Sequence, residues 1–170
     1  MKILLLTFIC GLQALNNDVK EPPQLTGEWY TVGLASTVPS KIMKGGSLEI
    51  YVHKIYNNED GSLGGEFFKK ENGECIKFSV SASQENDGQL KVPYDGENYL
   101  TIKHLDNEYA MFKLTNVKDD KNTTWCELFG RFPDLSDEIK GQFTKMCKEV
   151  GILNNQVRDL SKDDRCQELR

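Results

Sequence analysis

Between Trp29 and Phe129, apolar side chains recur at every second position in short stretches, and turn residues separate the stretches. That is the period of a strand with one dry face, and nothing in this span keeps a helical period for three turns. Leu48, Ile50 and Val52 alternate with Glu49, Tyr51 and His53, and Phe78, Val80 and Ala82 alternate with Ser79, Ser81 and Ser83. Val92 and Tyr94, Leu100 and Ile102, Ala110 with Phe112 and Leu114, and Trp125 with Phe129 repeat the rule. Between them fall Gly45-Gly46, Asn57 to Gly61, Glu71-Asn72-Gly73, Asn86-Asp87-Gly88, Asp95-Gly96, Asp106-Asn107 and Lys118 to Asn122, all turn formers. The spacing predicts an all-β chain of seven or eight antiparallel strands meandering in sequence order. Their dry faces have to be hidden between two sheets or inside a closed barrel.

The period changes after the strands. Ser136 is a helix N-cap, Asp137 and Glu138 suit the first turn, and Ile139, Phe143, Met146 and Val150 recur at helical spacing before Gly151 ends the run. One helix after the last strand favours a barrel with the helix laid outside it, since a sandwich already covers both faces of its core. Ile152 to Leu160 then reads as a last short strand.

The N-terminus is different in kind. Met1 and Lys2 precede an apolar run from Ile3 to Leu15, too short to span a bilayer and of the length of a secretory signal peptide. Residues 1–15 are therefore expected to be a leader, cleaved near Ala14 or Leu15, and residues 16–170 a single exported domain with no membrane insertion. Cleavage removes Cys10 and leaves Cys75, Cys126, Cys147 and Cys166 where disulfides persist. With 21 Lys and Arg against 26 Asp and Glu, the net charge of −5 sets nucleic acid aside as a partner.

Gly27-Glu28-Trp29 at the first strand, Gly130-Arg131 at the end of the last and the helix beyond them resemble the lipocalins. Leu34-Ala35-Ser36, Tyr94-Asp95-Gly96, Pro133-Asp134-Leu135-Ser136 and Asp159-Leu160-Ser161 are similar to the urinary, pheromone- and odorant-binding branch and its mammalian allergen relatives. The middle motif departs from that branch, reading Asp106-Asn107-Glu108-Tyr109. The resemblance implies an eight-stranded up-and-down barrel with one C-terminal helix packed outside. Gly27, Trp29 and Arg131 would then close one end, the guanidinium lying over the indole while its donors reach loop carbonyls.

A barrel of this size is either filled by side chains or holds one small ligand. Carrying the branch's inward positions onto this chain gives Leu48, Ile50, Val52, Ile55, Phe67, Phe78, Val80, Val92, Tyr94, Leu100, Phe112, Leu114, Trp125, Glu127 and Phe129, with Gly65 beside Phe67. Strand parity gives most of them independently. Glu127 stands out, because a carboxyl among hydrocarbon needs a partner: the Tyr94 hydroxyl, a water, a group elsewhere in the protein, or a ligand hydroxyl or amine. Burying about eight methylenes at roughly 0.8 kcal/mol each, with one or two polar contacts, implies micromolar affinity for a volatile or medium-chain lipid.

The resemblance also implies that Cys75 pairs with Cys166. Cys126 faces outward by parity and Cys147 lies on the helix, which leaves either a second bridge or free thiols. Asn122-Thr123-Thr124 is a glycosylation sequon at a hairpin tip. No catalytic motif is present, and His53 and His104 are far apart, so no enzyme, cofactor or metal is expected. A lipid isomerase of the lipocalin kind would need an inward Cys. The reading is a secreted, monomeric or weakly dimeric carrier of a small hydrophobic ligand. Its alternative is a protein signal read through its own surface by a cell-surface or chemosensory receptor.

Overall fold

The alternating stretches fold as the strands of one curled antiparallel sheet. The structure, a computed structural model, describes residues 21–170, so the expected leader at 1–15 lies outside the described residues. The strands are β1 (Gly27–Glu28), β2 (Tyr30–Ser36), β3 (Tyr51–Asn57), β4 (Leu63–Glu71), β5 (Glu74–Gln84), β6 (Leu90–Pro93), β7 (Glu97–Leu105), β8 (Tyr109–Lys118), β9 (Lys121–Gly130) and β10 (Val157–Asp159). Their order in the sheet is β1-β3-β4-β5-β6-β7-β8-β9-β2-β10.

β1 and β2 are one run of chain broken at Trp29. The first half pairs with β3 and the second with β9, so the two ends of the sheet meet across a single strand. Across the break, the Trp29 amide donates to the His53 carbonyl at 3.1 Å and the Val52 amide to Thr31 Oγ1 at 2.8 Å. Counting β1 and β2 once, with β3 to β9, the barrel has the eight strands expected, and β10 is an addition on the outer edge of β2. Tight turns make the meander possible. At the β4–β5 tip, Asn72 and Gly73 both take left-handed φ values of 50° and 81°, the conformation that a two-residue hairpin requires.

The beginning of β3 departs from the alternation. Leu48 to Ile50, expected to open the strand, lie in a turn whose amides bond locally, Leu48 to the Lys41 carbonyl at 2.8 Å and Glu49 to that of Gly46 at 3.2 Å. Glu49, expected on the wet face, is only 4% exposed, because Arg158 of β10 crosses to pair with it. One step later a bulge inserts His53 between the pairs Val52–Phe67 and Lys54–Glu66, and this resets the parity so that Ile55 faces inward.

Helix α1 (Asp137–Glu149) begins as the sequence requires, Ser136 Oγ accepting from the Ile139 amide at 3.2 Å. Ile139, Phe143, Met146 and Cys147 pack on Val32, Ala35, Tyr109, Met111, Cys126 and Leu128 of the barrel's outer face, forming a core separate from the one inside. Phe143 lies directly on Gly33, where a Cβ would sit 2.8 Å from its ring.

The closed end is held by Arg131. Its guanidinium lies 3.5 Å over the Trp29 ring and donates to the carbonyls of Glu28 at 2.7 Å, Gln24 at 2.8 Å and Thr26 at 3.0 Å. An ammonium has no planar fork to satisfy three carbonyls while stacking. Arg131→Lys is therefore expected to lose about 2 kcal/mol and to melt roughly 5 °C lower in a calorimetric scan. An unchanged melt would mean that the fork contributes nothing.

Cys75 and Cys166 are joined, with Cα atoms 5.6 Å apart. The second bridge that the sequence leaves open is not formed. Cys126 and Cys147 are free and buried in the outer core between β9 and α1. The neighbouring Cys126 sulfur, and then burial, push the Cys147 thiol up, which keeps it protonated and inert.

Candidate functional site

The interior of the barrel holds a partly open cavity of about 80 Å³ with almost wholly apolar walls. Of the expected wall residues, Ile50, Ile55, Phe67, Phe78, Val80, Val92, Tyr94, Leu100, Phe112, Leu114, Trp125, Glu127 and Phe129 line it. Leu48 and Val52 do not. Both are fully buried in the same core but are packed away from the space, Leu48 because its turn lifts it off the strand and Val52 because it precedes the bulge.

Leu25, Leu63, Gly64, Ala82, Leu90 and Asn98 complete the lining along with Gly65. Most of these were within reach of parity. Leu63 stands two before Gly65, Ala82 two after Val80 and Leu90 two before Val92, so each strand's inward face runs one step further than the expected set. Asn98 has the parity of Leu100 but is polar, and Leu25 precedes the first strand, where no period exists to follow. Gly65 does not add room. A Cβ there would lie 2.6 Å from the Phe67 ring, so the ring itself takes the space that glycine leaves.

Phe67, Phe78 and Tyr94 form a stack along one wall, with centroids 5.8 and 5.0 Å apart. The Lys69 ammonium sits 5.6 Å from the Phe78 ring and 5.8 Å from that of Tyr94. The cavity is smaller than the roughly 150 Å³ that suffices for benzene in an engineered protein. It suits a compact molecule, and the eight-methylene ligand anticipated from the sequence would require rings of this stack to turn.

Three polar side chains reach the lining, and two are already satisfied. The Tyr94 hydroxyl donates to the Ser47 carbonyl at 2.8 Å, and burial pushes its pKa up to about 12, so it stays a neutral donor. Asn98 donates to the Tyr94 carbonyl at 2.7 Å, while its Oδ1 accepts from Asn116 at 3.1 Å and from the Trp125 indole at 3.2 Å. Glu127 is the third. It is 3% exposed, its Oε1 is buried without a hydrogen-bond partner, and desolvation lifts its pKa to about 8. Tyr94, one of the partners that the sequence left open, is committed elsewhere.

Among the described residues no cysteine lines the cavity, since Cys126 and Cys147 lie in the outer core. Among the described residues, Cys75, Asp164 and Glu168 come within 4.8 Å of one another, but the sulfur of Cys75 is spent in the disulfide. His53 stacks on Phe68 and His104 on Tyr109, neither at the cavity. Asn122 is exposed on β9 beside its hairpin turn, accessible as the sequon requires.

The barrel closed by a Trp–Arg stack is matched by a family model. Residues 26–164 fit that of the lipocalin / cytosolic fatty-acid binding protein family. This chain belongs to the lipocalins. The lipocalin is 37% identical to the horse major allergen Equ c 1, over 100% of this chain and 96% of that protein. It is 38% identical to mouse major urinary protein 4, over 100% and 99%. Among solved structures it resembles the possum milk whey lipocalin trichosurin, crystallised with bound 4-ethylphenol, at 34% identity and a TM-score of 0.76 over 82% of this chain and 98% of that one.

Proposed function

We propose that this lipocalin is secreted and carries a small hydrophobic molecule, an odorant or pheromone, without acting on it. The observation that carries the reading is the apolar cavity inside the barrel, in which a single polar side chain, Glu127, is left without a partner. An apolar space recovers hydrocarbon burial and little else, which favours volatiles over sugars or nucleotides. Among the described residues, catalysis of the lipid-isomerase kind lacks its nucleophile, because the free thiols of Cys126 and Cys147 lie outside the barrel's interior. The bound 4-ethylphenol of trichosurin, a compact molecule with one polar atom, is of the chemistry in question; being larger than benzene, it would require rings of the Phe67, Phe78 and Tyr94 stack to turn here. Secretion rests on the leader expected at 1–15, on the disulfide and on the urinary relative, and Asn122 is proposed as a glycosylation site of the exported chain.

A fluorescent apolar probe equilibrated with the purified protein is expected to be displaced by 4-ethylphenol and by short-chain volatiles with micromolar constants. Absence of displacement, together with receptor activation by ligand-stripped protein, would overturn carriage in favour of a signal read from the surface.

A further inference from the structure

We propose that the ligand enters and leaves through the side of the barrel, by parting of β5 from β6, and not past the loop at the end opposite Arg131. The inference rests on the carrier reading and adds to it the route by which the cavity fills.

Both ends of the barrel are shut. Arg131 holds one, and the β2–β3 loop, residues 37–50, lies over the other with its Ile42 and Leu48 buried. Lys41 Nζ pins that loop to Thr123 Oγ1 of β9 at 2.9 Å, the Tyr94 hydroxyl holds the Ser47 carbonyl at 2.8 Å, and Arg158 of β10 holds the Ile42 carbonyl at 2.7 Å. None of residues 37–49 lines the cavity. A cavity that is partly open while both ends are closed is open through its wall.

One seam in that wall is incomplete. β5 pairs with β4 from Ala82, opposite Leu63, to Glu74, opposite Glu71, and β6 pairs with β7 at every residue. Between β5 and β6 the ladder holds only at Ser83–Lys91 and Gln84–Leu90, beside the turn. The same register would set Ala82 opposite Val92 and Ser81 opposite Pro93, and neither pair forms. The reason lies in Pro93. The Tyr94 amide is turned toward β7, donating to the Gly96 carbonyl at 3.1 Å, so the alternation of a strand puts the preceding N–H on the β5 edge. That is the N–H which proline lacks. Just beyond, the Phe78 and Tyr94 rings stack at 5.0 Å and bridge the two strands by side chains alone. Between the last ladder pair and this stack is a window, rimmed by Val80 and Ala82 on one side and Val92 on the other, all three lining the cavity.

Exposure follows the seam. Val80, Ala82 and Val92 are only half-buried, whereas Ile55 and Gly65, which line the cavity from strands that α1 leaves equally uncovered, are buried. The helix packs against β2, β8 and β9, and outside the window stand the small exposed side chains of Ser79, Ser81 and Ser83. Parting the strands there breaks no ladder pair. Lifting the loop breaks the bonds of Lys41, Ser47 and Ile42 together.

The test follows uptake of 1-aminoanthracene, a flat apolar dye, by stopped-flow fluorescence of the purified protein. Ser81→Cys with Pro93→Cys, oxidised and its bridge confirmed by peptide mapping, sews the seam from outside, and Pro93→Ser makes the same opening in the chain without the bridge. The sewn form is expected to take up and release the dye at least about tenfold more slowly than Pro93→Ser, because binding that waits on an opening slows when the opening is blocked. Pro93→Val, which returns the N–H to the β5 edge, is expected to be about threefold slower than the native protein. Lys41→Ala, which loosens the loop, is expected to match the native rate within about twofold. Equal rates in the sewn form and Pro93→Ser overturn the proposal, as does faster uptake in Lys41→Ala with no change in Pro93→Val. If the two cysteines do not join, Pro93→Val decides alone, and a native rate there overturns the route. If the native protein binds neither the dye nor 4-ethylphenol at equilibrium, the carrier reading falls and the route with it, a result distinct from slow uptake in one variant.

Discussion

Glu127→Gln is expected to be the more stable protein above neutral pH, and its advantage over the native chain will grow as pH rises from about 4.5 to about 8. The carboxyl's pKa is 4.5 when exposed in the unfolded chain and about 8 in the folded one. Between those values the folded state holds a proton that the unfolded state has released, so unfolding becomes more favourable with each pH unit. The contribution of Glu127 is fully present below 4.5 and is lost by the time pH passes 8. The two pKa values differ by about 3.5 units, which at 1.36 kcal/mol per unit amounts to about 5 kcal/mol, a large fraction of what holds a domain together. Glutamine has nearly the same shape and does not titrate, so subtracting its denaturant-derived stability curve from the native one removes every other titrating group. A difference that stays level from pH 4 to 9 would show that the carboxyl is solvated or paired in the folded state.

A stability cost of that size at a position surrounded by apolar residues explains why this one residue was conspicuous from its parity alone, and also why its environment was not. Alternation along β9 sets Trp125, Glu127 and Phe129 on one face, so placing the carboxyl inside the barrel requires only local pattern. Its lack of a partner depends on where Tyr94 goes, and Tyr94 is drawn to the Ser47 carbonyl, in a loop 47 residues earlier that carries no period of its own. Other departures have the same origin. Glu49 reads as a wet-face residue until Arg158 arrives from β10, 109 positions later, and the bulge at His53 is a response of β3 to wrapping against β4 and the broken first strand. The helix, by contrast, was legible to its cap, since Ser136 and the spacing of Ile139, Phe143 and Met146 are contained within a few turns. Period and capping are short-range and appear in sequence. Pairings between loops and distant strands are fixed by closure of the barrel, and Asn98, polar yet pointing inward, is explained only by the network that closure assembles with Asn116 and Trp125.

Removing the disulfide by Cys75→Ser with Cys166→Ser is expected to lower stability by about 4 kcal/mol and the melting temperature by roughly 12 °C. The bridge spans 91 residues, and most of its effect in the chain-entropy account comes from restricting the unfolded chain. Its local effect is on the tail. Beyond Leu160, Cys166 is the only fully buried apolar anchor, while Leu169 remains 39% exposed. The tail nevertheless delivers two arginines to the closed end of the barrel. Arg165 donates to the carbonyls of Thr31 and Pro133, each at 2.9 Å, and Arg170 to those of Trp29 and Val52, each at 2.8 Å, while lying 3.8 Å over the Tyr30 ring. These contacts span the break between β1 and β2, where the sheet depends on one strand for closure, so the bridge keeps a second clamp beside Arg131 in place. Mild reductant should reproduce the double variant's melt, because Cys126 and Cys147 are already thiols. Thiol counting on the unfolded, unreduced chain from residue 16 onward should return those two free thiols and no more. A count of zero would mean that the outer core is cross-linked as well. A double variant that melts with the native protein would mean that Arg165 and Arg170 hold the tail without help.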